Sequence, residues 1–399
     1  MWGGVVRAPG RHSHNHALAY TSHSISLGER MHLIFSLLLA LGATSSALAA
    51  ISVPKADVAR HAETLLEHSY PDAKAPGVAI LIARGDEVLY RGARGAANIE
   101  RGTMLSPDNV FRVGSITKQF TAAAILKLAG EGRLSLDDPL NKFVGDYPNG
   151  KAITIRQLLG HTSGIKNYFE IPEVVSNRIQ HHATTAEIIE SFRSEPVKFL
   201  PGEGFAYSNS GYVLLGSVIE SVTGMPWHQY LRDALFLPLG MKQTGYEEGF
   251  RKLIPDEGYS TENSNIVPAT PMSLSWAHAA AGLSSTLDDL LVWNNALHRG
   301  RILGDEQYLE MTTPGGGEGG QYGLGMAIES LQGSLAYGHS GAINGFSSCL
   351  MHVQESGITV IVMENNDGGE TGEGACPLAR QLAAMAANIA DVSEKPMPR

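Results

Sequence analysis

The sequence predicts an α+β fold: one antiparallel sheet built from both chain ends, flanked by N- and C-terminal helices, with an all-α lobe inserted between the two groups of strands. Two observations predict it. Apolar runs bounded by turn residues lie near both ends, GVAILIAR (77–84) and EVLYRGAR (87–94) on one side and YGLGMAIES, SLAYGHS, GFSSCLMHV and GITVIVME on the other. Between them, from Ser115 to about Thr313, apolar residues recur at helical spacing among many short loops. A sheet lobe is expected over about 50–114 and 315–399, and a helical lobe over about 115–314, together one domain spanning 50–399.

Residues 1–49 are expected to be a leader outside the mature protein. Met31 to Ala50 reads MHLIFSLLLALGATSSALAA, an apolar run followed by small residues, which is the pattern of a secretory signal peptide (31–49) cut after Ala49. The run Leu33–Leu41 falls short of the roughly 20 residues needed to span a bilayer. A periplasmic or secreted protein without membrane insertion follows. Translation is expected to start at Met31, and His12, His14 and His16 then fall outside the mature chain.

The elements can be justified in order. Val58, Ala62, Leu65 and Leu66 share one face of a helix over Pro54–His68. Gly85-Asp86 joins the first two apolar runs as a hairpin. ITKQFTAAAILKLAGEG is a helix ending near Gly130 or Gly132, and Asp137-Asp138-Pro139 has the cap-then-proline pattern of another. Thr154 can cap TIRQLLGH, Thr184 or Thr185 can cap TAEIIESFR, and Ser285 or Thr286 can cap LDDLLVWNNAL. SGYVLLGSVIESVTG is a further helix stopped by Gly224. QESG turns the last strand pair, and CPLARQLAAMAANIA closes the chain as a helix.

Charge and cysteine usage narrow the function. Without Arg7, Arg11, Arg30 and Glu29, the 30 basic and 40 acidic residues become 27 and 39, a formal charge of −12. An acidic exported chain is a poor partner for nucleic acid or an anionic membrane. The expected partner is a small-molecule or peptide substrate. Cys349 and Cys376 read as buried free thiols, although an oxidising compartment permits pairing. No clustered Cys/His spacing points to a metal, and no cofactor is expected.

Two serines compete as nucleophile. GHSGA at Gly338–Ala342 is one residue short of the G-x-S-x-G elbow, with Ala342 in place of the last glycine. An elbow at Ser340 requires an acid and then a histidine downstream, whereas the sole later histidine, His352, comes too soon, and a hairpin strand follows instead of a helix. The better candidate is Ser115 in FRVGSITKQF, where Ser115 and Lys118 form S-x-x-K at a helix start. Three residues apart on a helix is one face, so the amine can reach the hydroxyl, and the helix N-terminus favours developing negative charge. Ser52–Lys55 repeats the pattern as a decoy. Tyr207 and Asn209 in FAYSNSGY add Y-x-N before a helix, with Tyr147-Pro-Asn149 as a second decoy in a turn. His339-Ser340-Gly341 completes a third motif.

With S-x-x-K, Y-x-N and H-S-G in that order, among VGSITKQFTA, ITIRQLLGHTSG, PGEGFAYSNSGYVLLG, PLGM and AAGLSST, the chain resembles the serine β-lactamase and penicillin-binding protein superfamily. It looks nearest to class C β-lactamases, D-Ala-D-Ala carboxypeptidases and related esterases. The resemblance implies a β-lactamase/transpeptidase-like fold and a serine hydrolase. In it Ser115 forms an acyl-enzyme, Lys118 and Tyr207 share the proton traffic, and Asn209 holds Lys118 and the substrate amide. It also implies that Ser340 hydrogen-bonds substrate, that Gly341 keeps side chains clear of the ligand, and that the backbone N–H groups of Ser115 and Ala342 make the oxyanion hole.

One departure bears on substrate. The third motif carries His339 where many relatives have lysine, and histidine titrates near pH 6.5. No Lys or Arg occurs between Arg301 and Arg380, which leaves that half of the sheet without a fixed cation for a substrate carboxylate unless Lys166 or Arg178 reaches in. Peptides, amides or esters are therefore expected to be favoured over β-lactams. A penicillin-binding sensor or a non-catalytic scaffold of the same fold is the alternative. His161, Thr162 and Ser163 read as a buried cap and turn, Trp227, Trp276 and Trp293 as core or cleft wall, and Tyr168 and Phe169 as possible cleft lining.

Overall fold

The computed structural model describes residues 53–246, 257–262, 265–317, 320–367 and 374–387. The expected leader lies outside them, as do Ser52 of the first decoy and the end of the last predicted helix.

Helix α1 (Lys55–Ser69) precedes the hairpin of β1 (Val78–Arg84) and β2 (Glu87–Arg94), which turns at Gly85 with φ 59°. The helical lobe follows, with α2 (Thr117–Gly130), α3 (Ile155–Leu159), α4 (Thr185–Glu190), α5 (Asn209–Thr223), α6 (Leu274–Ala281) and α7 (Leu287–His298) as its main members. The chain then returns through β3 (Ala327–Leu331), β4 (Ser334–Ile343), β5 (Phe346–Val353), β6 (Ile358–Glu364) and α8 (Cys376–Ala386). The six strands pair in the order β3-β4-β5-β6-β1-β2, all antiparallel. Both chain ends thus build one sheet, with β1 pairing β6 at the junction.

Burial on both faces explains why the central strands are continuously apolar instead of alternating. In β1, Ala79, Leu81 and Ala83 pack toward the helical lobe, while Val78, Ile80 and Ile82 join a second core with Val58, Ala62 and Leu66 of α1 and Leu378, Ala379 and Leu382 of α8. Helix α2 runs through the middle of the helical lobe and is buried almost all round from Thr117 to Leu126.

The predicted caps form. Thr154 and Gln157 make a reciprocal capping box, as do Thr184 and Glu187, while Thr286 accepts from the Asp289 N–H. Gly224 ends α5 in the left-handed conformation. Two expectations are corrected. The Asp137-Asp138-Pro139 signal starts only a single 3₁₀ turn, Leu140–Lys142. The Asp138 carboxylate instead accepts from the Ser135 N–H and pairs with Lys142, which closes the turn locally. The cysteines are not free thiols: Cys349 on β5 and Cys376 at the start of α8 are disulfide-bonded, with Cα atoms 5.1 Å apart. Packing of α8 onto the sheet brings them together, and their spacing along the chain carries no trace of that packing. Tyr147-Pro-Asn149 is structural, as expected, with Tyr147 buried and Asn149 at φ 56°.

Candidate active site

Ser115 sits in a 3₁₀ turn, Gly114–Ile116, which leads directly into α2. Gly114 makes this possible in two ways. It adopts φ +49°, and a Cβ there would lie 2.7 Å from the Ala342 nitrogen. Only a residue without a side chain lets β4 press against the turn that carries Ser115. The backbone at Ser115 and the backbone at Ala342 are thereby brought together. Gly341 is needed for a related reason: a Cβ there would meet the Val113 carbonyl at 2.1 Å.

Lys118, one turn along α2, is fully buried. Its Nζ contacts three oxygens, Ser115 Oγ at 3.1 Å, Asn209 Oδ1 at 2.7 Å and the Ala280 carbonyl at 3.0 Å. Burial holds its pKa well below the ordinary lysine value. A neutral amine has two N–H bonds and one lone pair. The Asn209 and Ala280 oxygens can only accept, so they take both protons, and the lone pair is left facing the Ser115 hydroxyl. Lys118 is thus arranged to receive a proton from Ser115.

Asn209 is the first residue of α5, and the preceding Ser208 is its N-cap, accepting from the Gly211 N–H. This cap fixes Tyr207 on one side and Asn209 on the other. Asn167, which sequence reasoning missed, accepts from both the backbone and the side chain of Asn209. Ala280 was also missed, because it acts through its backbone. Its carbonyl turns toward Lys118 where α6 is kinked at His278, a residue with φ 44° and ψ −146°.

Tyr207 lies over the amine, with Lys118 Nζ 4.6 Å from its ring centroid. Burial raises its pKa, partly offset by a hydrogen bond with Ser115. Tyr207 is therefore a phenol at neutral pH and is suited to donating a proton. Beneath it lies a buried chain of rings. His161 packs 4.3 Å from Tyr207, centroid to centroid, and its Nδ1 accepts from the Ser208 N–H, so its Nε2–H points to Tyr322 Oη at 3.3 Å. His339 donates from Nδ1 to the Ser340 carbonyl at 2.6 Å, which makes Nε2 the acceptor for the Tyr322 hydroxyl at 2.8 Å. Tyr322 also has the Tyr212 oxygen within reach as a second acceptor, because Tyr212 sends its own proton to the Leu159 carbonyl.

His339 is only 5% exposed. Burial, then the neighbouring Lys118, depress its pKa to about 3 despite the bond to Ser340. The expectation that it titrates near pH 6.5 is corrected: it is a neutral, hydrogen-bonded core group that braces β4. His161 is buried as expected, but it lies directly under Tyr207.

A cavity of about 330 Å³ opens on Ser115, lined by Phe169, Asn209, Met272, Ala281, Ala342, Ile343, Asn344 and Asp367. Phe169 lines it as expected, whereas Tyr168 is buried behind it. Ser340 does not line it. It pairs with Cys349 in the β4–β5 register and borders a separate groove with Cys376, Glu329 and Arg380. Lys166 is engaged by Glu195 at 2.7 Å, and Arg178 lies over Trp276, so neither borders the cavity. Trp227, Trp276 and Trp293 are core residues. Among the described residues no group of three His, Cys, Asp or Glu is arranged to hold a metal ion, and no helix is long and apolar enough to cross a membrane.

Comparison with known proteins agrees with the fold. The Beta-lactamase family profile matches residues 58–385. Protein flp of Staphylococcus aureus (strain MW2) is 30% identical over 320 residues, 77% of this chain and 63% of its own length; the chain thus spans under two thirds of that relative. A D-stereospecific amidohydrolase from Streptomyces sp. superposes with a TM-score of 0.70 at 30% identity, over 81% of this chain and 98% of that one. The D-amino acid amidase from Ochrobactrum anthropi SV3, in its complex with L-phenylalanine amide, superposes with a TM-score of 0.73 at 28% identity, over 84% and 100%.

Proposed function

The chain belongs to the beta-lactamase family, a serine hydrolase fold, and from that premise we propose that it cleaves an amide or ester through an acyl-enzyme on Ser115. The observation that carries this reading is the approach of Lys118 Nζ to Ser115 Oγ at 3.1 Å with its two other contacts on acceptor-only oxygens. As Ser115 Oγ attacks the substrate carbonyl, its proton passes to the Lys118 lone pair. The tetrahedral oxyanion is held by the backbone N–H groups of Ser115 and Ala342. When the C–N or C–O bond breaks, the leaving group takes a proton from Tyr207, which is replenished from Lys118. Water then adds to the acyl carbonyl, gives its proton to the same base, and releases the acid and Ser115.

Substrates without a carboxylate beside the scissile bond are favoured, because among the described residues no Lys or Arg lines the cavity. The two amide-cleaving structural relatives named above support amides over β-lactams. Export is part of the proposal, and a disulfide between Cys349 and Cys376 supports it.

A fluorophosphonate or fluorescent penicillin probe, followed by intact mass, tests the nucleophile. Labelling is expected in the wild type and in Ser340→Ala, and is expected to vanish in Ser115→Ala. Loss of labelling only in Ser340→Ala overturns the assignment. With the penicillin probe, a persistent adduct and no turnover of amide or ester substrates identifies a sensor, and no adduct with either probe identifies a scaffold. Comparing kcat/KM for nitrocefin, a D-Ala-D-Ala peptide and p-nitrophenyl esters tests the preference, which fails if either carboxylate-bearing substrate is turned over much faster.

A further inference from the structure

The Ala280 carbonyl reaches Lys118 from a stretch of chain that is stitched along the nucleophile helix. The Ala279 carbonyl accepts from the Thr121 hydroxyl at 2.7 Å, the Ala280 carbonyl accepts from Lys118 Nζ at 3.0 Å, and the Leu283 N–H donates to Thr117 Oγ1 at 3.2 Å. Carbonyls in the last turn of a helix have no N–H of their own helix to meet, and here the side chains of α2 take them. They face α2 because α6 is broken just before them, at His278. There φ is 44° and ψ −146°, outside the left-handed helical well and in territory that glycine enters freely and side chains avoid. Such a conformation persists only where its surroundings hold it.

The ring of His278 supplies that hold. It is buried, and its Nε2 is hydrogen-bonded with Oγ1 of Thr185, the first residue of α4, at 3.1 Å. Trp227 packs on it at 5.1 Å between ring centroids. On α5 the ring meets Gly216, where a Cβ would lie 2.6 Å from Cε1 and 2.9 Å from Nδ1; Nδ1 has no hydrogen-bond partner among the described residues. The ring is thus fixed by shape and by one hydrogen bond. It borders a cavity of about 230 Å³ with Thr185, Glu220, Trp227 and Ser275, and none of that cavity's described lining residues belongs to the cavity at Ser115.

We propose that His278 is a positioning residue for the reaction: its ring wedges α6 into the break, which aims the Ala280 carbonyl at Lys118 and keeps the lone pair of the amine on Ser115. The proposal rests on the hydrolase reading of Ser115. If residue 278 relaxed to helical φ and ψ, the peptides after it would turn and carry the Ala279 and Ala280 carbonyls off α2. Lys118 would then keep only the Asn209 oxygen as an acceptor-only partner, and its second N–H would turn toward Ser115 Oγ in place of the lone pair.

The rate at which a fluorophosphonate labels Ser115, followed by intact mass across pH, reads the activation of the nucleophile without a known substrate. His278→Gly removes the wedge and lets the break close. On the plateau above the acid limb, labelling is expected to fall by about 10-fold or more, with circular dichroism unchanged. The midpoint of the limb is expected to fall by about half a pH unit or more, because the Lys118 ammonium loses a hydrogen-bond acceptor and gives up its proton more readily. The other titratable groups around Lys118, namely Tyr207, Tyr212, His161 and His339, are the same in the variant, so the shift reports the carbonyl. Labelling within about threefold of the wild type overturns the proposal. So does slower labelling with a limb that stays in place or moves up, which makes the residue merely structural. Thr185→Val removes the one hydrogen bond of the ring and leaves residue 278 alone. It should move the limb the same way by a smaller step, and an unmoved limb there overturns the proposal even if His278→Gly does not fold. If wild-type Ser115 takes no probe, the hydrolase reading itself has failed, and this proposal falls with it.

Discussion

At the scale of single residues the chemistry depends on which groups are neutral. Lys118 is held well below its ordinary pKa by burial, Tyr207 is held above its own, and His339 is depressed to about 3. A base that must be neutral gains activity as pH rises through its pKa, so the acid limb of kcat/KM should report Lys118. With its pKa near 3, His339 contributes no limb between pH 5 and 8. His339→Gln is therefore expected to lower activity through positioning while leaving the midpoint of the limb in place, as read from pH–rate profiles on a p-nitrophenyl ester. Disappearance of the limb in that variant would transfer the role to His339. The residue types and spacing of Ser115, Lys118, Tyr207 and Asn209 were legible in the sequence, because S-x-x-K on a helix start and Y-x-N at an N-cap are local geometries. Asn167, Ala280 and Tyr322 were not, since they act through a side chain, a carbonyl and a ring brought in from distant segments.

Elements position these residues through close backbone approach. The turn at Gly114 and strand β4 touch where any side chain on residue 114 would collide, and its φ of +49° adds strain for any other residue. Gly114→Ala should displace Ser115 relative to Ala342, and displacements of about 1 Å commonly cost on the order of 100-fold in rate. The expected result is a loss of that size in kcat/KM with circular dichroism unchanged. Retained activity would mean that the two backbones need not meet. The hairpins and the capped helices were readable in the chain, because turn glycines, cap hydroxyls and apolar periodicity are short-range signals. The Asp138-Pro139 helix failed although Leu140, Phe143, Val144 and Tyr147 stand at helical spacing and pack on the core, because the chain turns at Gly145-Asp146, with Asp146 at φ 55°, and then meets Pro148.

For the whole molecule, buried neutral histidines couple stability to acid. His278, His298 and His339 each have a folded-state pKa of about 3, below the ordinary 6.5. The unfolded chain therefore binds more protons than the folded one between those values, and stability is lost as pH falls through that window. At pH 5 each such histidine costs about 2 kcal/mol relative to neutral pH. Thermal melts should give a level Tm above about pH 7 and a steep decline toward pH 4; a flat profile to pH 4.5 contradicts these buried positions. The disulfide adds a second global term. It closes a loop with a sequence separation of 27, worth about 3.5 kcal/mol by chain entropy. Reduction should lower Tm by roughly 5 °C for a domain of this size, measured by calorimetry with and without dithiothreitol.

The sequence by itself determined the α+β class, the six strands contributed from both ends, the main helices and the candidate set of Ser115, Lys118 and Tyr207, because each is encoded in periodicity or in spacing within a few residues. It also argued against Ser340 as attacker, from the order of partners an elbow requires. Only the tertiary structure decided that Ser340 faces a different groove, that Gly341 serves strand packing, that His339 is neutral, that the cysteines pair, and that Asp367 borders the cavity at Ser115. Each of these depends on contacts between segments far apart in the chain and on the burial they produce, and desolvation and close approach leave no pattern in the order of residues.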